Sequence, residues 1–427
     1  MSLSPATADP MQPHLSGRRT LLPWYIIEFL NSYAATLFCA GCYDYADEIL
    51  HVTPAARLWL SAAWGFAYIF IALGAGRLSE KLGPRRVVGT MIAGCIATTL
   101  LALIAIHMHS IWILLAVMLP MNITSTMIWP ALESAITRSP AKMRLSTRMA
   151  IYNLSWGSAG FAALFTRGTL EHLDWSMIFI APAIASALAL LIFATRAIPA
   201  AMISADHVPE ESGGEHDVDD PAIRRRAKNL LIMAWIGNTL AYVAINVVTP
   251  VQMRLANEAG FTDLRIVAFV TSIWSFMRFV GFGLTWKWAG WHYKNRWLIG
   301  SQIALTFSFA LMFLNSNPWT LGLAQGVFGL SAALVYSSSL YYAMHVSSGH
   351  GGHAGVHEAL IGAGIAIGPA VGAIAGGNDF STAALARIAI SVTAVMLLGI
   401  LVQSFIAYRG RTPLQPTATP NFSKIEN

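Results

Sequence analysis

Arg278 lies about fourteen residues into an apolar run that opens near residue 264, on one helical face with Ser275, Phe282 and Thr285. A guanidinium at that depth must meet an anion, a carboxylate or water, because uncompensated charge in an apolar medium is costly. Its planar, two-pronged donor geometry makes it a candidate anchor for an anionic ligand. Glu28 stands about one turn inside the run that opens near residue 21, where a desolvated carboxyl group suits reversible proton binding. Glu133 and Glu358 fall near the ends of two other runs. There a carboxylate pairs most simply with Arg144, Arg148 or a helix N-terminus, so these residues read as braces.

Further polar residues recur at helical spacing. Glu28, Asn31, Ala35, Cys39 and Cys42 share a face of the first apolar run, and Asn122, Thr126, Trp129 and Glu133 share one of the fourth. Trp235, Asn238, Tyr242, Asn246, Thr249 and Met253 do so in the seventh, and Gln325, Gly329, Tyr336 and Ser339 in the tenth. The third, sixth, ninth and twelfth runs are nearly all aliphatic or small. Polar groups are expensive in lipid unless paired, so the striped helices should line a wet interior and the plain ones should face the bilayer. Candidate substrate contacts are therefore Arg278, Asn31, Trp129, Asn238, Tyr242, Asn246, Gln325 and Tyr336. Trp129, Trp156, Trp235, Trp274, Tyr242 and Tyr336 sit well inside their runs, where rings stack on a ring-bearing or glycosidic ligand or pack a core. His345, His350, His353 and His357 have metal-like spacing but fall in a Gly-rich loop, where His is merely polar. No metal site and no cofactor are expected. A Walker loop, a nucleophile elbow and a helical H-E-x-x-H are all missing, so the chain does not read as an enzyme.

The elements that position these residues follow from composition. With 427 residues, 56% of them apolar and 11% charged, and a mean hydropathy of +0.56, the chain could not hide its apolar side chains in a water-soluble globule. Lipid accepts them as solvent. A span takes about 20 mostly apolar residues. Twelve such runs lie near 21–41, 57–79, 86–106, 111–136, 146–168, 175–196, 228–252, 264–288, 296–315, 319–343, 355–377 and 383–407. Alternate loops carry most of the Lys and Arg (Arg18 and Arg19; Arg77, Lys81, Arg85 and Arg86; Arg138 to Arg148; Arg224 to Lys228; Lys287 to Arg296; Arg409 and Arg411). By the positive-inside rule those loops and both termini are cytoplasmic. The opposite loops hold Asp44, Asp47, Glu48, Arg57, Glu171, Asp174, Glu258, Asp263, Arg265 and Asp379. Topology alone explains the net charge of +6, and no nucleic-acid partner is implied.

Residues 1–20 read as a disordered cytoplasmic tail, 21–197 as one six-helix bundle, 198–226 as a cytoplasmic linker, 227–408 as a second bundle and 409–427 as a C-terminal tail. The first run contains Glu28 and Asn31 and has no small-residue cleavage site, which argues against a removable signal peptide. Cys39, Cys42 and Cys95 lie in apolar runs and read as small packing residues rather than disulfide or redox pairs.

The turn GRLSEKLGPRR, from Gly76 to Arg86, has a partner 207 positions on, where Gly283 and Gly290 keep the spacing of Gly76 and Gly83. A duplicated half is implied. On this evidence the chain resembles the major facilitator superfamily over essentially its whole length. Gly76, Leu78, Glu80, Gly83 and Arg85 match that family's loop motif, with Glu80 in place of Asp and Pro84 in place of the first Arg; in the second copy Lys287 stands where the acid belongs. The resemblance implies an all-α membrane protein with twelve transmembrane helices in two pseudo-symmetric six-helix bundles. It also implies a gate built on Gly76, Glu80, Gly83 and Arg85, with Glu133, Arg148 and Glu358 bracing it, in which the acid caps the eleventh helix when the cytoplasmic side is shut. GIAIGPAVGAIAGG, from Gly364 to Gly377, is similar to a signature that the family's antiporters carry in the fifth helix, but here it falls in the eleventh.

The expected function is secondary transport of a small organic solute across the cytoplasmic (inner) membrane by alternating access, with the proton as coupling ion through Glu28 and the protein working as a monomer in the bilayer. Import of a polar or anionic solute leads. Proton-driven efflux of amphipathic, drug-like compounds and a non-transporting membrane sensor or assembly factor are the alternatives.

Overall fold

The computed structural model describes residues 17–137, 139, 143, 145–195, 221–347, 351–378 and 381–409. Among these the chain forms twelve α-helices and no strand. In order they are α1 (Gly17–Glu48), α2 (Pro54–Leu82), α3 (Pro84–Ala105), α4 (Ile111–Thr137), α5 (Leu145–Leu173) and α6 (Met177–Thr195). The second half comprises α7 (Pro221–Glu258), α8 (Leu264–Lys287), α9 (Asn295–Leu314), α10 (Pro318–Ser347), α11 (Gly351–Gly376) and α12 (Thr382–Arg409). An all-helical span is what lipid dictates, since each helix satisfies its own backbone donors and acceptors.

Ten of the helices are long and apolar enough to cross a membrane. The other two, α1 and α5, have the length, at 32 and 29 residues, but carry charges. The fold turns five of those charges inward: Glu28, Asp44, Arg148, Arg167 and Glu171 are all buried. On α3, α6, α9 and α12, Leu101, Ile104, Leu191, Phe307, Leu398 and Leu401 are more than half exposed, which is the apolar belt that the unstriped sequences require. Even so, α9 and α12 each bury one Gln, and the Gln403 side chain donates to the Met233 carbonyl of α7 at 2.8 Å.

Helices α1–α6 pack among themselves, as do α7–α12, and the two bundles meet chiefly along α2 with α11 and α5 with α8. That pairing is what a repeat shifted by six helices produces. Trp112 and Trp319, second residues of α4 and α10, extend the sequence repeat at the same separation of 207 and stand exposed at corresponding helix ends. Lipid offers no hydrophobic drive for helix association, so close approach depends on small residues. Gly362 of α11 lies against Ile69 and Tyr68 of α2, and Gly157 of α5 lies against Phe282 of α8. The glycines of the displaced signature divide between two neighbours. Gly364 and Gly368 abut Thr239 and Val243 of α7 in the same bundle, while Gly372 faces Leu58 of α2 across the seam.

Several boundaries differ from the sequence reading. Helix α1 begins at Gly17, inside the segment read as a tail, and α7 begins at Pro221, inside the segment read as a linker. Proline suits a first helical turn, and the Arg-rich residues that follow are good helix formers that need no lipid. The rest of those segments, 1–16, 196–220 and 410–427, lies outside the described residues, as do Arg138, Lys142 and Arg144. Asp44, Arg57 and Glu171, read as loop residues, belong to helices and are at most 4% exposed.

Candidate functional site

The buried carboxyl groups converge. Glu28 of α1, Glu133 of α4 and Glu358 of α11 lie within electrostatic range of one another, so three helices from two bundles contribute one acidic cluster. The Ser32 hydroxyl, one turn along α1, donates to Glu28 Oε1 at 2.6 Å, while Oε2 has no protein partner. Trp129 Nε1 donates to Ser32 Oγ at 3.2 Å, and the Trp129 ring stacks on Tyr68 with centroids 6.1 Å apart. The Tyr68 hydroxyl donates to Glu358 Oε2, which links α2 to α11 across the seam. Glu133 lies beside Tyr152 of α5. Three hydrogen bonds and one ring stack thus link Glu28 to Glu358 through residues of four helices.

Arg278 occupies the other side of this cluster, with Tyr242 and Tyr336 within range of both Arg278 and the acids. Its guanidinium carbon is 4.4 Å from the Trp156 ring centre, 5.3 Å from Tyr242, 5.4 Å from Tyr336 and 5.7 Å from Phe282. The rings also pack on one another, Trp156 with Phe282 and with Tyr336 at 4.9 Å each. One terminal nitrogen of Arg278 donates to the Tyr242 hydroxyl at 3.1 Å, and Nε has no partner. Among the described residues no carboxylate comes within ion-pair distance of Arg278. Faces of π-systems stabilise a cation without neutralising it. The arrangement therefore leaves a buried positive charge able to accept an anion, facing acids able to take up protons.

The structure separates the other expected residues. Asn31 is buried next to Ser32, with its amide nitrogen unpartnered. Asn238 lies one turn from Tyr242, fully buried, with neither side-chain polar atom paired. Asn246 turns back on its own helix and donates to the Tyr242 carbonyl at 2.9 Å. Gln325 is buried with its carbonyl oxygen unpaired, and no contact joins it to Arg278. One turn below it, Gly329 is pressed against the Trp274 backbone of α8, so that part of the α10 stripe serves packing.

The expected braces also find other partners. Arg148 donates to the carbonyls of Ile136 at 3.1 Å and Ser139 at 2.8 Å, where a cation suits the C-terminus of α4. Glu358 bonds Tyr68 in the other bundle rather than a loop arginine. Arg85 lies over Phe193 of α6, inside its own bundle. Gly83 has φ +84° and separates α2 from α3, a conformation that L side chains rarely adopt, and Pro84 opens α3 as its first residue. Gly76 and Glu80 belong to α2, and the Glu80 side chain lies outside what the structure describes.

Sequence reasoning passed over Ser32, Tyr68 and Tyr152 and read His357 only as a polar loop residue. Tyr68 stands singly among apolar residues, while Ser32 and Tyr152 sit beside Asn31 and Asn153, off the stripes read from the sequence. His357, read as part of a loop, belongs to α11 and is fully buried, with Nδ1 2.9 Å from Ser339 Oγ and its ring edge-on to Tyr336. The side chains of His345, His350 and His353 lie outside the described residues, and among those described no cluster could hold a metal ion.

Two six-helix repeats joined along a seam that buries both an arginine and a carboxyl cluster have the architecture of a secondary transporter. The chain belongs to the Major Facilitator Superfamily, whose family model matches residues 24–369. Among solved structures, a mutant form of the nucleoside transporter NupG superimposes with a TM-score of 0.69 at 15% identity, over 91% of this chain and 99% of that one. A bacterial homolog of the human lysosomal transporter Spinster, inward-facing and occupied, gives 0.64 at 13% identity, over 95% and 100%. The human organic anion transporter MFSD10 (TETRAN) gives 0.64 at 15% identity, over 93% and 100%. At such identities the likeness shows the fold alone. No curated protein matches the chain significantly.

Proposed function

We propose that this multi-pass membrane protein imports a small organic solute bearing an anionic group. The two bundles rock about the seam, and proton uptake by Glu28 drives the cycle. Both termini face the cytoplasm, as the Arg- and Lys-rich loops indicate. The gate is proposed at the Gly76 to Arg86 turn and at the cytoplasmic ends of α4, α5 and α11. One observation carries the reading: Arg278 is buried in an aromatic box with no carboxylate at ion-pair distance, opposite three clustered carboxyl groups. A desolvated guanidinium attracts an anion strongly, and acids that become neutral as they take up protons would not repel it. The fold neighbours carry cargoes as different as nucleosides and organic anions by their names, so the choice rests on the residues.

A thermal-shift screen of the purified protein against a metabolite library identifies the ligand, and Arg278 variants then test its anchor. Arg278→Lys should weaken binding severalfold through loss of the planar fork, and Arg278→Met should eliminate it, with expression and melting temperature nearly unchanged. Normal binding by Arg278→Met would remove the anionic-solute reading.

A further inference from the structure

At the end of the molecule opposite the described chain ends, α1, α2 and α5 bury a second group of charges that takes no part in the central cluster. Arg167 Nε lies 2.8 Å from Asp44 Oδ2 and 3.6 Å from Glu171 Oε1, and Arg57 is paired with Asp47. Arg57, Arg167, Asp44 and Glu171 are each at most 4% exposed.

Charge balance is the first argument. Asp47, 23% exposed, answers Arg57, which leaves Arg167 alone facing the two fully buried carboxyl groups of Asp44 and Glu171. A buried charge without compensation is strongly disfavoured, so Asp44 and Glu171 reach neutrality with Arg167 only if they retain one proton between them. Geometry is the second. Asp44 and Glu171 crowd the same N–H of Arg167 and come within hydrogen-bonding reach of each other. Two ionised carboxylates only accept, so a bond between them requires a proton. Arg167 Nε and Nη1, Asp44 Oδ2 and Glu171 Oε1 are all buried without a directed hydrogen bond, so the guanidinium does not spread its donors over both acids.

We infer that Asp44 and Glu171 form a second proton-binding site, one proton held between them beside Arg167, separate from the carboxyl groups of the central cluster. Asp44 faces Arg167, Glu171, Asp47 and Arg57, and Glu171 also faces Glu48. Asp47 in turn faces His51 and, across the seam, Arg254. Release of the proton would therefore leave an extra negative charge near the place where the two bundles meet at this end.

The test is infrared spectroscopy of the purified full-length protein at neutral pH, reading the C=O stretch of protonated carboxyl groups. The parent carries Glu28→Gln, Glu133→Gln and Glu358→Gln so that the central acids are silent. It should keep an H/D-sensitive band of about one carboxyl group's amplitude, because two of the cluster's three acids are balanced by its two arginines. Adding Glu171→Gln or Asp44→Asn should each abolish the band, since two carboxylates then balance two guanidiniums. Absence of the band in the parent, or its survival in both variants, overturns the inference. If the parent does not fold, the same loss is read from wild type minus Glu171→Gln, which keeps the Arg167–Asp44 pair. The outcome does not depend on whether Glu28 couples transport.

Discussion

Replacing Gly362 by Ala tests whether the α2–α11 seam is a reversible contact. A Cβ at this position would lie 2.9 Å from the backbone nitrogen of Ile69 and 3.0 Å from Ile69 Cγ1 and Tyr68 Cδ1, whereas ordinary contact begins near 3.4 Å. The nearest atom is backbone and cannot rotate away, so α2 must retreat by the difference, about half an ångström. The same retreat stretches the bond from Tyr68 to Glu358. Overpacking of this kind costs about 1–3 kcal/mol, and it is paid only while the helices are packed. The gain in helix propensity from Gly to Ala, about 1 kcal/mol, is common to packed and parted states and cancels. The balance between the two should therefore move toward the parted state by roughly 5- to 150-fold. Pulsed EPR between spin labels at Lys81 of α2 and Val356 of α11, in a background lacking Cys39, Cys42 and Cys95, measures it. Gly74→Ala is the control, because nothing lies within 4 Å of the added carbon. An unchanged distance distribution in Gly362→Ala, or an equal shift in Gly74→Ala, would refute the argument.

Glu28→Gln should abolish uptake against a gradient in proteoliposomes yet preserve substrate exchange, which needs no net proton movement; undiminished concentrative uptake would remove Glu28 from the coupling step. Gly83→Ala should cost about 1–3 kcal/mol in strain at φ +84° and lower the melting temperature, and an unchanged temperature would show that the turn relaxes freely. Asp263 caps α8, accepting from the Arg265 and Ile266 amides and the Arg265 side chain, and these bonds hold its carboxyl below the usual carboxylate range. A lowered value means the cap is fully effective above about pH 3.9 and fades as the pH falls through the lower folded value. Hydrogen exchange at the Arg265 and Ile266 amides should lose that acid-dependent step in Asp263→Ala; an identical acid profile would exclude the cap.

The sequence by itself determined that this chain crosses a membrane, how many times, and that its halves repeat. Length, apolarity and the inward turning of polar stripes are local properties, because in lipid each helix must satisfy its own backbone and hide its own polar face. That is why Arg278, Glu28, Trp129, Tyr242 and Tyr336 were legible as interior residues. Their partners were not. Glu358 reads as a loop brace until α11 is laid against α2, 290 positions away in the chain, and meets Tyr68. Arg148 reads as an ion-pair partner until the carbonyl end of α4 is brought to it. Asp44 and Glu171 read as loop charges until α1 and α5 enclose them around Arg167. Partner choice depends on which helices are neighbours and on the rotation of each about its axis. Both are set by packing summed over the whole bundle, and only the tertiary structure decides them.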